Sequence, residues 1–300
     1  MTKQNGAVLA CLFSGLIFGI YWIPLRFVED AGFSGTWATV MFNLVPLVLI
    51  SPLLIYRLVT AFPRRSNFHL TALMTGIAYV FYANAFLHTE VVRAIVFFYL
   101  MPVWGFLLAR FFIGEKITPV RWLSMGFGLV GLFIISGEGG GISFPDRTGD
   151  WMALGAGLCW AAASLMILTD KQDSLNYALG MLFWGAVVAL ILALIATQQG
   201  YDTYPEWKQA TTVLAWMIPF TLLIIIPATF ATVYGPSLLN PGVVGLLFMS
   251  EISIGTATAA FFAGEPFGLK EILGIIFITC AGLAEPLKSI LIDNRRELTA

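Results

Sequence analysis

The chain has few charged side chains. Only 11% of its 300 residues are Asp, Glu, Lys or Arg, whereas soluble domains carry about 25%. Hydrophobic residues make up 59% of the sequence, and the mean hydropathy is +0.87. A soluble core of this size cannot bury so much apolar surface, so most of these side chains require lipid as their solvent. The net charge of −1 argues against a nucleic-acid partner.

Groups that would support catalysis or metal binding are also scarce. The three cysteines, Cys11, Cys159 and Cys280, each lie in an apolar run and form no CxxC pair, so we predict packing roles for them. The two histidines, His69 and His88, lie at opposite ends of one apolar run, too far apart to share a metal. We therefore expect no catalytic residue and no metal site, which disfavours a membrane-embedded enzyme.

A glycine pattern typical of cofactor-binding loops occurs at residues 126–131, which read GFGLVG. No predicted strand precedes it, and the residues lie inside an apolar run. The pattern is therefore more typical of small residues that let neighbouring membrane helices approach closely. We predict no cofactor.

Ten apolar stretches are each long enough to cross a bilayer as a helix, which takes about 20 residues. Short connections between them favour antiparallel neighbours in a bundle. The sequence thus predicts an all-α integral membrane protein with ten transmembrane helices. The predicted spans are residues 6–25, 37–57, 69–88, 91–113, 119–137, 151–170, 175–197, 212–234, 240–263 and 268–290.

Lysine and arginine set the expected orientation. If both termini lie on one side of the membrane, that side carries 11 of the 16 basic residues and the other side carries 5. Because cytoplasmic loops are enriched in Lys and Arg, we expect both termini in the cytoplasm.

A five-residue phrase occurs twice, as FFIGE at residues 111–115 and as FFAGE at 261–265. Recurrence at half the chain length predicts a duplication. Five spans per half make equivalent helices cross in opposite senses, so we expect two inverted five-helix repeats around a central cavity near the midplane. The predicted organisation is a first repeat over residues 1–137, a linker over 138–150, and a second repeat over 151–300 that ends in a cytoplasmic tail.

Glu251 lies near the midpoint of the ninth span, where a charge costs at least about 2.5 kcal/mol. Three interpretations stay open. The side chain is neutral and bonded to Ser250, Ser253 or a carbonyl; it binds a substrate ammonium or a proton; or it lines a wet cavity without a defined role. Its equivalent in the first half is Met101, so the two halves differ chemically here.

Tyr79, Tyr82 and Phe86 share one face of the third span. Tyrosine is poorly suited to bare lipid at mid-depth, because its hydroxyl needs a hydrogen-bond partner. The tyrosines either bond to a neighbouring helix or form an aromatic wall that stacks substrate rings.

The fourth span contains Pro102, which leaves the Phe98 carbonyl without its helical partner. The proline is either a packing kink, or it has a functional role as a hinge or as the cause of a free carbonyl that faces the cavity. Met101 and Trp104 share one face of this span, and Tyr99 points elsewhere. All three are candidate substrate contacts.

Trp160 lies at the centre of the sixth span, too deep for the interfacial tryptophan belt. It is either a core packing residue or part of the cavity wall. Ser164, one turn further along, shares its face.

The chain resembles the drug/metabolite transporter superfamily, of the ten-helix EamA-like kind. The resemblance lies in the Gly114-Glu115 and Gly264-Glu265 endings, the Gly-rich fifth and tenth spans, and Pro102. One departure is Glu251-Ile252, where the family often has Glu-Pro. The aromatic third and fourth spans are most similar to the YddG-type aromatic amino-acid exporters.

This resemblance implies an inner-membrane exporter of amino acids or related metabolites, with spans 1–4 and 6–9 around the cavity. We therefore expect the lipid bilayer and an amino acid, with aromatic ones favoured, as partners, and alternating access as the mechanism. An exporter of drugs or toxic cations is the alternative, and a passive channel is a third. The sequence is compatible with a monomer and leaves proton coupling and facilitated diffusion open.

Overall fold

The computed structural model describes residues 3–63, 65–136, 144–170, 172–205, 208, 210–265 and 267–281. Every regular element within these ranges is helical. The helices are α1 (Lys3–Asp30), α2 (Thr36–Thr60), α3 (Ser66–His88), α4 (Val91–Phe98), α5 (Met101–Ile113), α6 (Pro119–Ser136), α7 (Thr148–Asp170), α8 (Ser174–Gln198), α9 (Ala210–Phe220), α10 (Ile226–Tyr234), α11 (Pro241–Phe248), α12 (Ser250–Thr258) and α13 (269–281).

Eight helical stretches among the described residues are long and apolar enough to cross a membrane. They correspond to the first four and the sixth to ninth predicted spans. The fifth predicted span forms the shorter α6, and the described part of the tenth forms α13. The rest of the tenth span, most of the predicted linker and the C-terminal tail lie outside the described residues. The limits of the two repeats stay a prediction.

Two of the spans are interrupted near their midpoints. The fourth is broken at Tyr99 and Leu100, between α4 and α5, and Pro102 lies in the first turn of α5. A proline is tolerated there because the first backbone N–H groups of a helix have no partner within it. The ninth span is broken at Met249, between α11 and α12. The two breaks are about 150 residues apart, the spacing of the repeated phrase.

Both copies of that phrase end a helical stretch in the same way; before the second copy, a π-helical segment, Ala259–Ala263, continues α12. Gly114 and Gly264 adopt the left-handed backbone conformation, with φ of 67° and 69°. This conformation is common where a helix stops, and glycine adopts it without strain. The backbone N–H of Glu115 then bonds to Ala109 O, and that of Glu265 bonds to Ala259 O, each over 3.3 Å.

The helices pack as a single bundle over the described residues. Helix α3 contacts α7 and α8, α1 contacts α10 and α12, and α5 contacts α7 and α11. Glycine permits the closest approaches: a Cβ atom on Gly131 of α6 would lie 2.7 Å from Gly274 O of α13. The predicted role of small residues in the GFGLVG stretch is thus confirmed at Gly131. It does not extend to Gly126, which has no atom within 4 Å of such a Cβ.

The outer surface of the bundle is apolar. The paired phenylalanines of the repeated phrase are among its most exposed residues: Phe111 and Phe112 are 79% and 75% exposed, and Phe261 and Phe262 are 85% and 70% exposed. Contiguous apolar surface of this kind is unfavourable in water and matches lipid as the surrounding medium. The chain is a multi-pass membrane protein.

Candidate functional site

A small cavity lies inside the bundle, close to the two helix breaks. Its volume of about 30 Å³ is enough for about two water molecules, so the cavity must widen before it can hold a larger molecule. Half of the residues that line it are aromatic, and one is acidic. The wall consists of Ser14, Gly15, Phe18, Ala78, Tyr79, Tyr82, Phe98, Trp160, Met181, Thr232, Phe248 and Glu251.

The acidic residue of the wall is held by two tyrosines. The Tyr82 hydroxyl donates to Glu251 Oε1, and the Tyr99 hydroxyl lies 2.7 Å from Glu251 Oε2. The Tyr99 hydroxyl also lies 2.5 Å from the carbonyl oxygen of Phe248, at the end of α11. All three polar side chains are buried, with exposures of 4% for Tyr82, 0% for Tyr99 and 3% for Glu251. The partners of Glu251 are thus phenols, whereas Ser250 Oγ is buried without a partner.

Two further polar groups of the wall have no regular hydrogen bond. Trp160 Nε1 is buried and unpaired. The Tyr79 hydroxyl lies close to the Tyr21 hydroxyl but makes no hydrogen bond of regular geometry, and the two rings are 5.7 Å apart between centroids. Buried polar groups are nearly always satisfied in native proteins. In a cavity wall, such groups are available to a polar ligand.

The stacked rings around Glu251 set its position. Tyr82 stacks on Phe98 with 4.1 Å between ring centroids, and Phe86 packs against Tyr82 in a tilted arrangement at 4.6 Å. Phe98 also meets Tyr99 edge-on at 5.1 Å. Aromatic pairs of this geometry contribute about 0.5–1.5 kcal/mol each beyond their buried area. The rings therefore hold the two phenols towards the carboxyl group.

Four of the residues predicted from the sequence lie in the wall: Tyr79, Tyr82, Trp160 and Glu251. The other predicted residues lie behind or beside it. Tyr99 contacts Glu251 from outside the wall, Phe86 supports Tyr82, and Met101 is 1% exposed. Trp104, Ser164, Ser250 and the hinge candidate Pro102 are also absent from the lining.

The sequence reasoning missed the wall residues of α1, α8, α10 and α11. Ser14 bonds to Thr232 across the bundle, which brings α1 to α10. Met181 reaches the cavity from α8. Small hydroxyls and methionine are common in membrane helices, so nothing in the sequence marks them. Phe98 and Phe248 could have been identified as a pair of wall residues, because each precedes a helix break and they are one repeat apart.

In each half of the bundle, a glycine lets one helix contact the interrupted span of the other half at its break. A Cβ atom on Gly157 of α7 would collide with Phe98 O, and one on Gly15 of α1 would lie 3.2 Å from Phe248 O. Gly15 and Gly157 occupy matching places in the first and sixth spans. The two contacts are therefore equivalent.

The glutamates of the repeated phrase make a second pair of matching contacts. Glu265 accepts hydrogen bonds from the backbone N–H groups of Val91 and Val92 in the first turn of α4, over 2.8 and 3.1 Å. Glu115 accepts one from the amide of Asn240, which itself caps α11 by accepting from Gly242 N. Each glutamate thus stabilises the start of the interrupted span in the other half.

A charged network closes the bundle near the start of α7. Arg93 of α4 pairs with Asp146 and with Asp150, each at 2.5 Å. Asp150 is completely buried and also accepts a hydrogen bond of 2.8 Å from the Thr89 hydroxyl. Because the arginine and the buried aspartate are paired, neither is placed to meet cargo in the cavity.

Comparison with known proteins agrees with this architecture. Residues 5–137 match the EamA-like transporter family, which confirms the EamA-like resemblance over that part of the chain and leaves the similarity to YddG-type exporters a prediction. One protein of known crystal structure superimposes on 96% of this chain and 99% of its own length, with a TM-score of 0.69 and 14% identity. At that identity the likeness shows a shared fold only.

Among characterised proteins, the chain is similar to threonine/homoserine exporters named RhtA. It is 28% identical over 175 residues to the exporter of Salmonella typhimurium strain LT2 and 27% identical over the same length to that of Escherichia coli strain K12. Each alignment covers 56% of this chain and 55% of the relative. The matched region is thus about half the length of these relatives.

Proposed function

We propose that this chain, which belongs over residues 5–137 to the EamA-like transporter family, exports amino acids across the bacterial inner membrane, with aromatic ones favoured. One observation carries the proposal. A buried cavity at the helix breaks combines six aromatic rings with a single carboxyl group and two unpaired hydrogen-bonding groups. The carboxyl group suits a substrate ammonium, the unpaired groups suit its carboxylate, and the rings suit its side chain.

Alternating access between two inverted repeats is the mechanism that we propose. The matching contacts of Gly15 with Phe248 O and of Gly157 with Phe98 O support it. So do the matching breaks in the fourth and ninth spans, because discontinuous helices near the midplane surround the substrate in many transporters. In this scheme the two halves rock around the cavity and expose it to one side at a time. Both termini lie in the cytoplasm.

Counterflow into proteoliposomes tests the proposal directly. Vesicles loaded with unlabelled phenylalanine should take up labelled phenylalanine in a saturable way, and empty vesicles should not. Threonine and homoserine, the substrates in the names of the relatives, should compete less well if aromatic cargo is favoured. Equal competition would indicate that the chain has the substrate specificity named for its relatives and no preference for aromatic amino acids. Uptake without saturation would indicate a passive channel, and no uptake of any amino acid would contradict the proposed function.

Export of cationic compounds is a second candidate function. Among the lining residues, Glu251 is the one ionisable acid, and no lysine, arginine or histidine lies in the wall. An aromatic box with one acid also fits planar or quaternary cations, through ring faces and charge. A labelled quaternary ammonium compound in the same counterflow assay separates the two: cation uptake with no phenylalanine uptake would favour the second function.

A further inference from the structure

The hydrogen bonds around Tyr99 indicate which of the neighbouring groups carry a proton. A phenol carries a single hydrogen, but the Tyr99 oxygen lies 2.5 Å from Phe248 O and 2.7 Å from Glu251 Oε2. One hydrogen cannot fully serve both acceptors. The arrangement is satisfied throughout when Glu251 is protonated. Its carboxyl O–H then donates to Tyr99, Tyr99 donates to Phe248 O, and Tyr82 donates to Glu251 Oε1.

The surroundings of Glu251 favour this state. Its carboxyl group is buried, and a carboxylate without a cation is unfavourable in such a site. The helices packed against α12 and the network around Glu251 present tyrosines at this depth. Apart from the thiols Cys11 of α1 and Cys159 of α7, their other charged and titratable groups lie towards the helix ends: Lys3, Arg26, Glu29 and Asp30 of α1, His69 and His88 of α3, Arg93 of α4, Arg110 of α5, and Asp150 and Asp170 of α7.

Phe248 O lies where the ninth span is interrupted, and Tyr99 lies where the fourth span is interrupted. Their hydrogen bond therefore joins the two breaks. If Glu251 loses its proton, its charge attracts the single hydrogen of Tyr99, because hydrogen bonds to ionised acceptors are the stronger ones. Phe248 O then loses its partner, and the bond between the breaks is lost.

We propose that Tyr99 is a positioning residue that couples the protonation of Glu251 to closure of the cavity; this rests on the proposed export function. Protonated Glu251 leaves Tyr99 bonded to Phe248 O, and the cavity is closed. When an ammonium-bearing substrate enters, the carboxyl O–H bond breaks, its proton passes to water on the entry side, and the carboxylate pairs with the ammonium. Tyr99 turns to Glu251, and the joint between the breaks is released.

Accessibility of the cavity to a thiol reagent tests this coupling. Ala78 lines the cavity and is 2% exposed, so an A78C reporter in a background with Cys11, Cys159 and Cys280 replaced by alanine reports opening. Because the thiolate fraction itself rises with pH, each rate is divided by that of a small free thiol at the same pH. On this relative scale and without substrate, the reporter should react slowly at low pH and at least several-fold faster as the pH rises and Glu251 ionises. Phenylalanine should also accelerate the reaction at low pH.

Two substitutions should act in opposite directions. E251Q keeps a donor for Tyr99 and an acceptor for Tyr82, so the reporter should stay slow at every pH. Y99F cannot bond to Phe248 O, so the reporter should react fast at every pH. Y21F is the matched control, because Tyr21 is a buried tyrosine outside the cavity wall, and its removal leaves the bonds of Tyr99 to Phe248 O and Glu251 in place. It should retain the pH dependence.

An infrared measurement keeps the proposal testable if Y99F fails to fold. The difference spectrum of wild type minus E251Q should contain the carbonyl band of a protonated carboxylic acid at neutral pH, and substrate should remove it. Absence of that band, or an unchanged pH dependence of labelling in E251Q, would overturn the proposal. Counterflow in the same preparations tests export separately: a wild type that transports without the band contradicts the coupling alone, and one that does not transport contradicts the proposed function.

Discussion

The Glu265 carboxylate accepts a hydrogen bond of 2.8 Å from the backbone N–H of Val91, which joins the end of the ninth span to the start of the fourth. The equivalent Glu115 lies at the end of the fourth span and bonds to Asn240, the cap of the ninth. The fourth and ninth spans are therefore bonded end to start at both of their ends. This arrangement ties the two interrupted helices together while their midpoints remain free of continuous helical hydrogen bonding.

Removing the Glu265 carboxylate should weaken the start of α4. In E265A, the N–H groups of Val91 and Val92 lose their acceptor, and loss of a helix cap costs about 1 kcal/mol. E265Q keeps one acceptor oxygen and loses the charge, so its loss should be smaller. Thermal unfolding in detergent measures both. Equal stability of E265A and wild type would show that water replaces the carboxylate at no cost.

The effect on stability of replacing a glycine in α6 should depend strongly on which glycine is replaced. In G131A the new methyl group meets Gly274 O and Ile278, so overpacking should cost about 1–3 kcal/mol. G126A is the matched control in the same helix, where no atom lies within 4 Å of the added Cβ. Its free energy of unfolding should equal that of wild type or exceed it by up to about 1 kcal/mol, because alanine has a higher helix propensity than glycine. Similar melting temperatures for the two variants would contradict the close contact of α6 with α13.

The Tyr79 hydroxyl offers a test of substrate contact without loss of structure. Because it makes no regular hydrogen bond, Y79F should unfold at the same temperature as wild type or slightly higher. If the hydroxyl binds the substrate carboxylate, KM for phenylalanine should rise roughly fivefold, which corresponds to about 1 kcal/mol.

The matched control for that variant is Y21F. Tyr21 packs against Tyr79 but is not part of the cavity wall, so its KM should equal that of wild type. A rise in KM for Y21F equal to that for Y79F would mean that the pair shapes the cavity and that Tyr79 makes no separate contact with substrate.

The orientation of the chain is open to a direct measurement. A reporter that is active only in the periplasm should give no signal when it is fused to either terminus, because the distribution of basic residues predicts both termini in the cytoplasm. The same reporter fused after Tyr201, in the connection between α8 and α9, should give a signal. A signal from a terminal fusion would reverse the proposed topology.

The sequence was sufficient to predict the membrane helices and to identify Glu251 as a candidate site residue. Apolar runs of about 20 residues predict membrane helices because the bilayer has a fixed thickness, and the structure has helices at all ten predicted places over its described residues. Glu251 was recognisable because a charge at mid-depth is costly and therefore has a reason to be there.

Most of the cavity wall was not accessible to sequence reasoning. Helices such as α3 and α7 are apolar on every side, so their sequences do not indicate which face meets lipid and which meets the cavity. Met181 and the Ser14–Thr232 pair enter the wall because of how α8, α1 and α10 are rotated in the bundle. Those rotations depend on glycine contacts between helices distant in the sequence. For the same reason, Tyr99 was predicted as a substrate contact, although it reaches the site through Glu251.

The residues of the cavity wall have different structural roles, and this matters for engineering the protein towards another substrate. Tyr82 and Glu251 are bound into the network around the breaks, and Gly15 holds two helices in contact. Ala78 and Met181 also face the cavity but belong to neither group. In the proposed exporter, a new cargo size can therefore be sought at these two positions, by filling space at one and emptying it at the other, while the residues of the network around the breaks are left unchanged.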